Sequence, residues 1–246
     1  VNTQVLQRAL QYASSFGYSV WLRPLDPWLG GGVAASGPLA MRMGLSGVPV
    51  AAETVALHTV FELLRAMSAG VTFFSPPLGG ADLFSSASRP RRTPPLRQPR
   101  DRDALRAALA DGTLDALVSD HTPVEADAKQ LPFAEAEPGA TALELLLPLA
   151  LQWGQAPDGP GIGRALASVT HGPARVLGAA LGTLAASCGR LVEGGVADVC
   201  VFDPEARWTV GPAALRSQGK HTPFGGLEMT GRVRCTLVAG QLAHSG

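Results

Sequence analysis

A helical-period apolar stretch followed by a short β-like run recurs along the first half of this chain, and no other feature restricts its fold as strongly. Apolar residues from Val5 to Phe16 fall at helical spacing, Asn2 or Thr3 offers an N-cap, Gly17 a stop, and YSVWLRP at 18–24 reads as a buried strand. AAETVALHTVFELLRAMSAG at 51–70 predicts a long helix closed by Gly70, and VTFF at 71–74 a strand after it. DRDALRAALADG at 101–112 and DALVSD at 115–120 repeat the pair. Strands separated by helices pair in parallel and need helices over both faces, so the expected class is α/β. In such sheets reactive groups gather at the carboxyl ends of strands, and Asp120 stands at one.

Further on, TALELLLPLALQWG at 141–154 predicts another helix, and GIGRALASVTHGPARVLG at 161–178 two short ones broken near Gly172 and Pro173. After Leu191 the period changes. GGVADVCVFDP, RWTV and GRVRCTLVAGQLAH are short, β-branched-rich runs between turns, which predicts a small β appendage. The expected organisation is an α/β body over 1–185 and a β domain over 186–246. One stretch breaks the rhythm: residues 75–100 are rich in Pro, Ser and Arg and carry no periodicity, so they are expected to be irregular.

Charge excludes several partners. Acidic and basic residues number 20 each, so no overall field favours nucleic acid or an anionic membrane, and the arginines near residue 90 lack the interleaved aromatics of a single-strand binding surface. No apolar run approaches the ~20 residues of a membrane span. Cys188, Cys200 and Cys235 are odd in number and widely spaced, which argues against a disulfide framework and suits a reducing cytoplasm. The start, VNTQVLQRAL, lacks an initiator Met and enters a helix at once, so the chain is expected to begin inside a domain. A Ser119-Asp120-His121 triad is not expected, because adjacent residues do not converge and no G-x-S-x-G elbow is present. The glycines at 30–32 lack the continuation of a phosphate loop and read as a flexible turn.

DGTLDALVSDHTPVEADAKQLPFAEAEPGATALELLLPLAL at 111–151 resembles the last barrel strand and following loop of dihydroorotases, members of the amidohydrolase superfamily. VPVAAETVALHTVFEL, TPPLRQPRDRDALRAALADG, GRLVEGGVADVCVFDPEARWTV and ALRSQGKHTPFGGLEMTGRV resemble the same family, so the likeness covers most of the chain outside 74–92. The resemblance implies a partial (β/α) TIM-type barrel with the β appendage of this group. It implies a chemistry as well: reversible hydrolysis of the cyclic amide of L-dihydroorotate to N-carbamoyl-L-aspartate, in pyrimidine synthesis, by a zinc pair that activates a bridging water.

By the same resemblance Asp120 matches the carboxylate that ligates metal and shuttles the proton, and Pro138 and Gly139 match the loop whose backbone contacts the dihydropyrimidine ring. Two substrate positions depart from the pattern. Val124 stands where the family has a His that grips the substrate carboxylate, and Thr93 where it has an Asn. The family's metal-binding histidines and bridging Lys or Asp find no match. His58, His121, His171, His221 and His244 show no metal-ligand spacing, and Lys129 and Lys220 lie in loops, which disfavours a carboxylated bridge. Asp120 is therefore expected to be the one retained family ligand and zinc not to be bound by this chain.

Two readings stay open. The chain is either a truncated, internally deleted piece of a working zinc dihydroorotase, or a non-catalytic homologue that scaffolds aspartate carbamoyltransferase, and Val124 and Thr93 favour the second. A small-molecule substrate is expected only if the site is completed. Neither nucleic acid nor membrane is an expected partner. About three of eight barrel strands are recognisable, so exposed sheet edges and association with a further chain are expected.

Overall fold

In the computed structural model, residues 2–67, 74–75 and 95–246 are described, with the backbone alone at 74–75. Local signals account for most of the helices. Helix α1 (Thr3–Phe16) begins where Asn2 Oδ1 accepts the Gln4 N–H at 2.8 Å and ends at Gly17, whose φ of 67° only glycine adopts without strain. Past that cap the expected strand over 18–24 is absent. The segment carries no ladder, and Tyr18 instead joins Tyr12 and Phe16 in an exposed aromatic group with ring centroids 4.7 to 6.5 Å apart.

Regular structure resumes with strand β1 (Ala34–Ala35), helix α2 (Pro38–Arg42) and strand β2 (Gly47–Val48), which pairs with β1 in parallel. The glycines expected to form a loose turn are tightly held. Asp26 Oδ1 accepts the N–H groups of Trp28 and Leu29 at 2.9 Å each, and a Cβ on Gly32 would lie 2.7 Å from the Gly47 carbonyl carbon. Glycine here is a matter of backbone approach.

Helix α3 (Ala51–Ala66) ends at Met67, so Gly70 and the strand run from 71 to 73 lie outside the described residues. Strand β3 (Phe74–Ser75) pairs in parallel with β4 (Ala116–Leu117), the buried core of the predicted DALVSD strand. Between them, helix α4 (Pro99–Asp111) starts inside the stretch expected to be irregular, because the Gln98 N–H finds the Asp101 carboxylate at 3.0 Å and Pro99 suits a first helical turn. Two of the motifs that carry the family resemblance meet through Arg97. Its guanidinium donates to the Glu53 carboxylate and to the carbonyls of Val48 at 2.7 Å and Pro49 at 3.3 Å.

After the short α5 (Ala126–Gln130), a 3-10 turn at Leu143–Leu145 leads into α6 (Leu146–Gln155), then α7 (Ile162–Val169) and α8 (His171–Leu177). The break between the last two falls at Thr170, with φ −123° and ψ −90°, and not at Gly172 or Pro173, which continue in α8. Proline fits there because a first helical turn needs no N–H from it.

The C-terminal strands form one antiparallel sheet in the order β5 (Val199–Thr209), β6 (Glu228–Val238), β7 (Gln241–Ser245), and RWTV continues β5 where a separate strand was expected. A core joins this region to the helices: Leu145, fully buried, packs with Val210, Leu215, Phe224 and Met229. A second core gathers Leu109, Leu117, Ala150, Trp153 and Ala165 under β4. Among the described residues no helix is long and apolar enough to cross a membrane.

Candidate functional site

Asp120 follows β4 by three residues, and its backbone turns into the left-handed region with φ at +47°. Aspartate tolerates that region better than most residues, at a cost of order 1 kcal/mol, and such outliers cluster at functional sites. Its carboxylate is one-quarter exposed and accepts a hydrogen bond from the Arg23 guanidinium at 2.9 Å, across 97 positions of sequence. Arg23 ends the apolar stretch 18–22, and that placement at the end of a strand-like run is the signal by which it could have been singled out. With the arginine side chain 55% exposed, the pair contributes at most about 1 kcal/mol to folding, so its consequence is chemical.

His121 faces elsewhere. Its Nδ1 accepts the backbone N–H groups of Ala142 and Leu143 at 3.1 Å each, which places the ring proton on Nε2 and makes the imidazole a cap for the turn that opens α6. A nitrogen occupied in this way is not presented to a metal.

The loop from Thr122 to Thr141 is folded onto itself and onto 215–222. Thr122 N–H donates to the Ala140 carbonyl at 3.0 Å, Lys129 Nζ donates to the carbonyls of Glu137 and, at 2.8 Å, Gly139, and Thr141 donates through its N–H to His221 O at 2.8 Å and through its hydroxyl to Gly219 O. Gly139, with φ at +144°, leaves room for Val124: a Cβ there would lie 2.7 Å from Val124 Cγ2 and 2.5 Å from Thr122 O. On the other side, a Cβ on Gly219 would lie 3.0 Å from the Val124 backbone. Val124 is thus packed between two glycines and only 7% exposed. Pro138 is part-exposed beside it, and Thr93 lies outside the described residues.

Two polar side chains that the sequence did not mark as site residues, Lys129 and Glu144, hold this loop in place. Besides Lys129, the Glu144 carboxylate accepts the Arg216 N–H at 2.6 Å, the Ser217 N–H at 2.8 Å and the Ser217 hydroxyl at 2.7 Å. Burial raises the Glu144 pKa, but these hydrogen bonds and the Lys220 charge outweigh it and hold the carboxyl below its ordinary 4.5. His221 meets the loop through its backbone carbonyl; burial, and then the Lys129 charge, push its pKa down, and its Nε2 is buried without a hydrogen-bond partner among the described residues.

A depressed carboxyl pKa stabilises the fold above the unfolded value and loses that contribution as pH falls through the folded one. Glu144→Gln is therefore expected to cost about 1 to 2 kcal/mol at pH 7 and to flatten the loss of stability below about pH 4.5. Urea unfolding at stepped pH checks this, and parallel curves for the two proteins would contradict it.

A two-metal centre needs several convergent imidazoles and carboxylates. Among the described residues no group of three or more His, Cys, Asp or Glu is placed to hold an ion. The stretches 68–73 and 76–94 contain one residue of those types, Asp82. With Asp120 on Arg23 and His121 on the backbone, the donors among the described residues are not grouped as a zinc pair requires.

No model of a known protein family matches the chain. Curated proteins do. It is 37% identical over its full length to a dihydroorotase-like protein of Pseudomonas aeruginosa, covering 63% of that protein, and 35% identical over 99% of its length to a dihydroorotase of Anaeromyxobacter dehalogenans, covering 62%. The chain thus spans a little over three-fifths of the relatives it matches. Among solved structures, L-hydantoinase from Arthrobacter aurescens superposes over the whole chain and 61% of its own, with a TM-score of 0.81 and 21% identity. D-hydantoinase from Thermus sp. superposes over 77% of this chain and 42% of its own, with a TM-score of 0.63 and 23% identity. The resemblance to dihydroorotases read from the sequence therefore extends along the entire chain, and the fold is similar to that of these hydantoinases.

Proposed function

We propose that this chain is a dihydroorotase-family protein that does not hydrolyse dihydroorotate, built on part of a (β/α) barrel over 1–185 with a β domain over 186–246. The observation that carries the reading is Val124. Its side chain, at the place where the resemblance implies a carboxylate-gripping His, is buried against Gly139 and has neither charge nor donor to offer a substrate. A polar side chain there would have to be desolvated without a partner, which costs about 1 to 3 kcal/mol.

The ring-contacting loop supports the same reading, because the Gly139 carbonyl already accepts from Lys129. A cytoplasmic role as a scaffold for aspartate carbamoyltransferase accounts for retention of the fold without its chemistry. Asp120 at its strand end, together with relatives named dihydroorotase, favours the second reading, a piece of a zinc enzyme.

One experiment separates the two. Purified chain, with and without added zinc, is assayed for dihydroorotate hydrolysis and passed over a sizing column with aspartate carbamoyltransferase. No turnover and co-elution with the transcarbamoylase are expected. Zinc-dependent turnover would select the enzyme.

A further inference from the structure

Asp120 is the one residue of this chain that matches a family metal ligand, yet a cation already lies on it. Arg23 NH2 is 2.9 Å from Asp120 Oδ1. A guanidinium keeps its charge at every pH a protein survives, and its planar donors match a carboxylate closely. We propose that Arg23 supplies Asp120 with the positive charge that a divalent metal supplies in the metal-dependent amidohydrolases, and that this built-in cation keeps metal ions off the carboxylate.

The argument is electrostatic and geometric. Zinc or manganese at Asp120 would have to displace the guanidinium from the oxygen it holds, or bind close to a fixed positive charge at the protein surface, where screening by water is incomplete. Neither neighbour in sequence compensates: Ser119 is uncharged, and His121 spends its Nδ1 on the Ala142 and Leu143 amides. The left-handed backbone at Asp120 adds a constraint, since it fixes the direction from which the carboxylate leaves the chain. Among the described residues the site accordingly contains a carboxylate–guanidinium pair. This deepens the non-catalytic reading but does not depend on Val124, and it can be tested without any activity.

The test is a Mn²⁺ titration of the isotope-labelled full chain, followed by paramagnetic broadening of the amide signals of Ser119, His121 and Thr122. The wild-type chain and Asp120→Asn are expected to show the same weak, non-localised response. Arg23→Gln, which removes the charge and keeps similar bulk, is expected to show broadening confined to these amides, with a midpoint at least about tenfold lower, as a freed carboxylate requires. Arg23→Lys retains a cation and is expected to behave like wild type, which separates a charge effect from loss of packing.

Localised broadening in the wild-type chain that Asp120→Asn abolishes would overturn the proposal, as would equal midpoints for wild type and Arg23→Gln. If Arg23→Gln does not fold, the comparison of wild type with Asp120→Asn decides alone. Dihydroorotate turnover without such broadening would sink the non-catalytic reading and leave this proposal standing.

Discussion

Leu145→Ala is expected to lower the unfolding free energy by about 3 to 4 kcal/mol, a large part of the ~5 to 15 kcal/mol of an ordinary domain. The side chain is fully buried and contacts Val210, Leu215, Phe224 and Met229, with Leu96, Leu149 and Trp208 around them. Those neighbours come from the segment before α4, from α6, from β5 and the segment after it, and from the start of β6, so they cannot collapse together into the space left behind, and the cavity cost adds to the lost transfer energy. The damage would reach the candidate site. Leu145 follows Glu144, which clamps Arg216 and Ser217, and lies in the turn whose amides His121 caps. Urea unfolding followed by circular dichroism measures the loss, and a change under about 1 kcal/mol would mean that this core is not the joint between helices and sheet.

Gly139→Ala is expected to cost about 2 to 4 kcal/mol, from a smaller change in volume. A methyl group at a φ of +144° is strained in itself, and this one would sit 2.5 Å from Thr122 O and 2.7 Å from Val124 Cγ2. The Thr122 oxygen is backbone and cannot swing aside, so the loop must open and the Thr122 to Ala140 hydrogen bond with it. Hydrogen exchange at the Thr122 amide should accelerate well beyond the global loss of stability. Gly163→Ala is the matched control: a Cβ there meets nothing within 4 Å, in helix α7, and the change should be neutral or stabilising by up to about 1 kcal/mol. Equal effects at the two glycines would show that Val124 is not held as described.

Together these variants separate two parts of the proposed non-catalytic reading. Gly139→Ala disturbs the loop packing around Val124, whereas Arg23→Gln removes the charge beside Asp120. Neither change assembles the several convergent ligands of a metal pair, so neither is expected to produce hydrolysis, and gain of turnover by either would contradict the non-catalytic reading.

Local rules were legible in the residues themselves. Asn2 and Gly17 bound α1, Pro99 and Gly112 bound α4, and the β-branched runs after Leu191 became an antiparallel sheet, because caps, turns and periodicity act within a few positions of chain. The motifs around Asp120 were long and ordered enough to point to the dihydroorotases, and the full-length similarity to curated relatives agrees. What the sequence by itself determined, then, was the alternation of elements, the resemblance to the dihydroorotases, and which carboxylate stands at the strand end.

Only the tertiary structure decided what those residues now touch. YSVWLRP has the composition of a strand but joins no ladder among the described residues, since strand formation depends on a partner that composition does not specify. Arg23 reaches Asp120 across 97 positions, Glu144 reaches Ser217 across 73, and Val124 is enclosed by glycines on either side of it in space. Such contacts depend on where chain closure brings distant segments together, and the physical reason they escape a sequence reading is that no local propensity encodes the direction of a side chain toward a partner far along the chain.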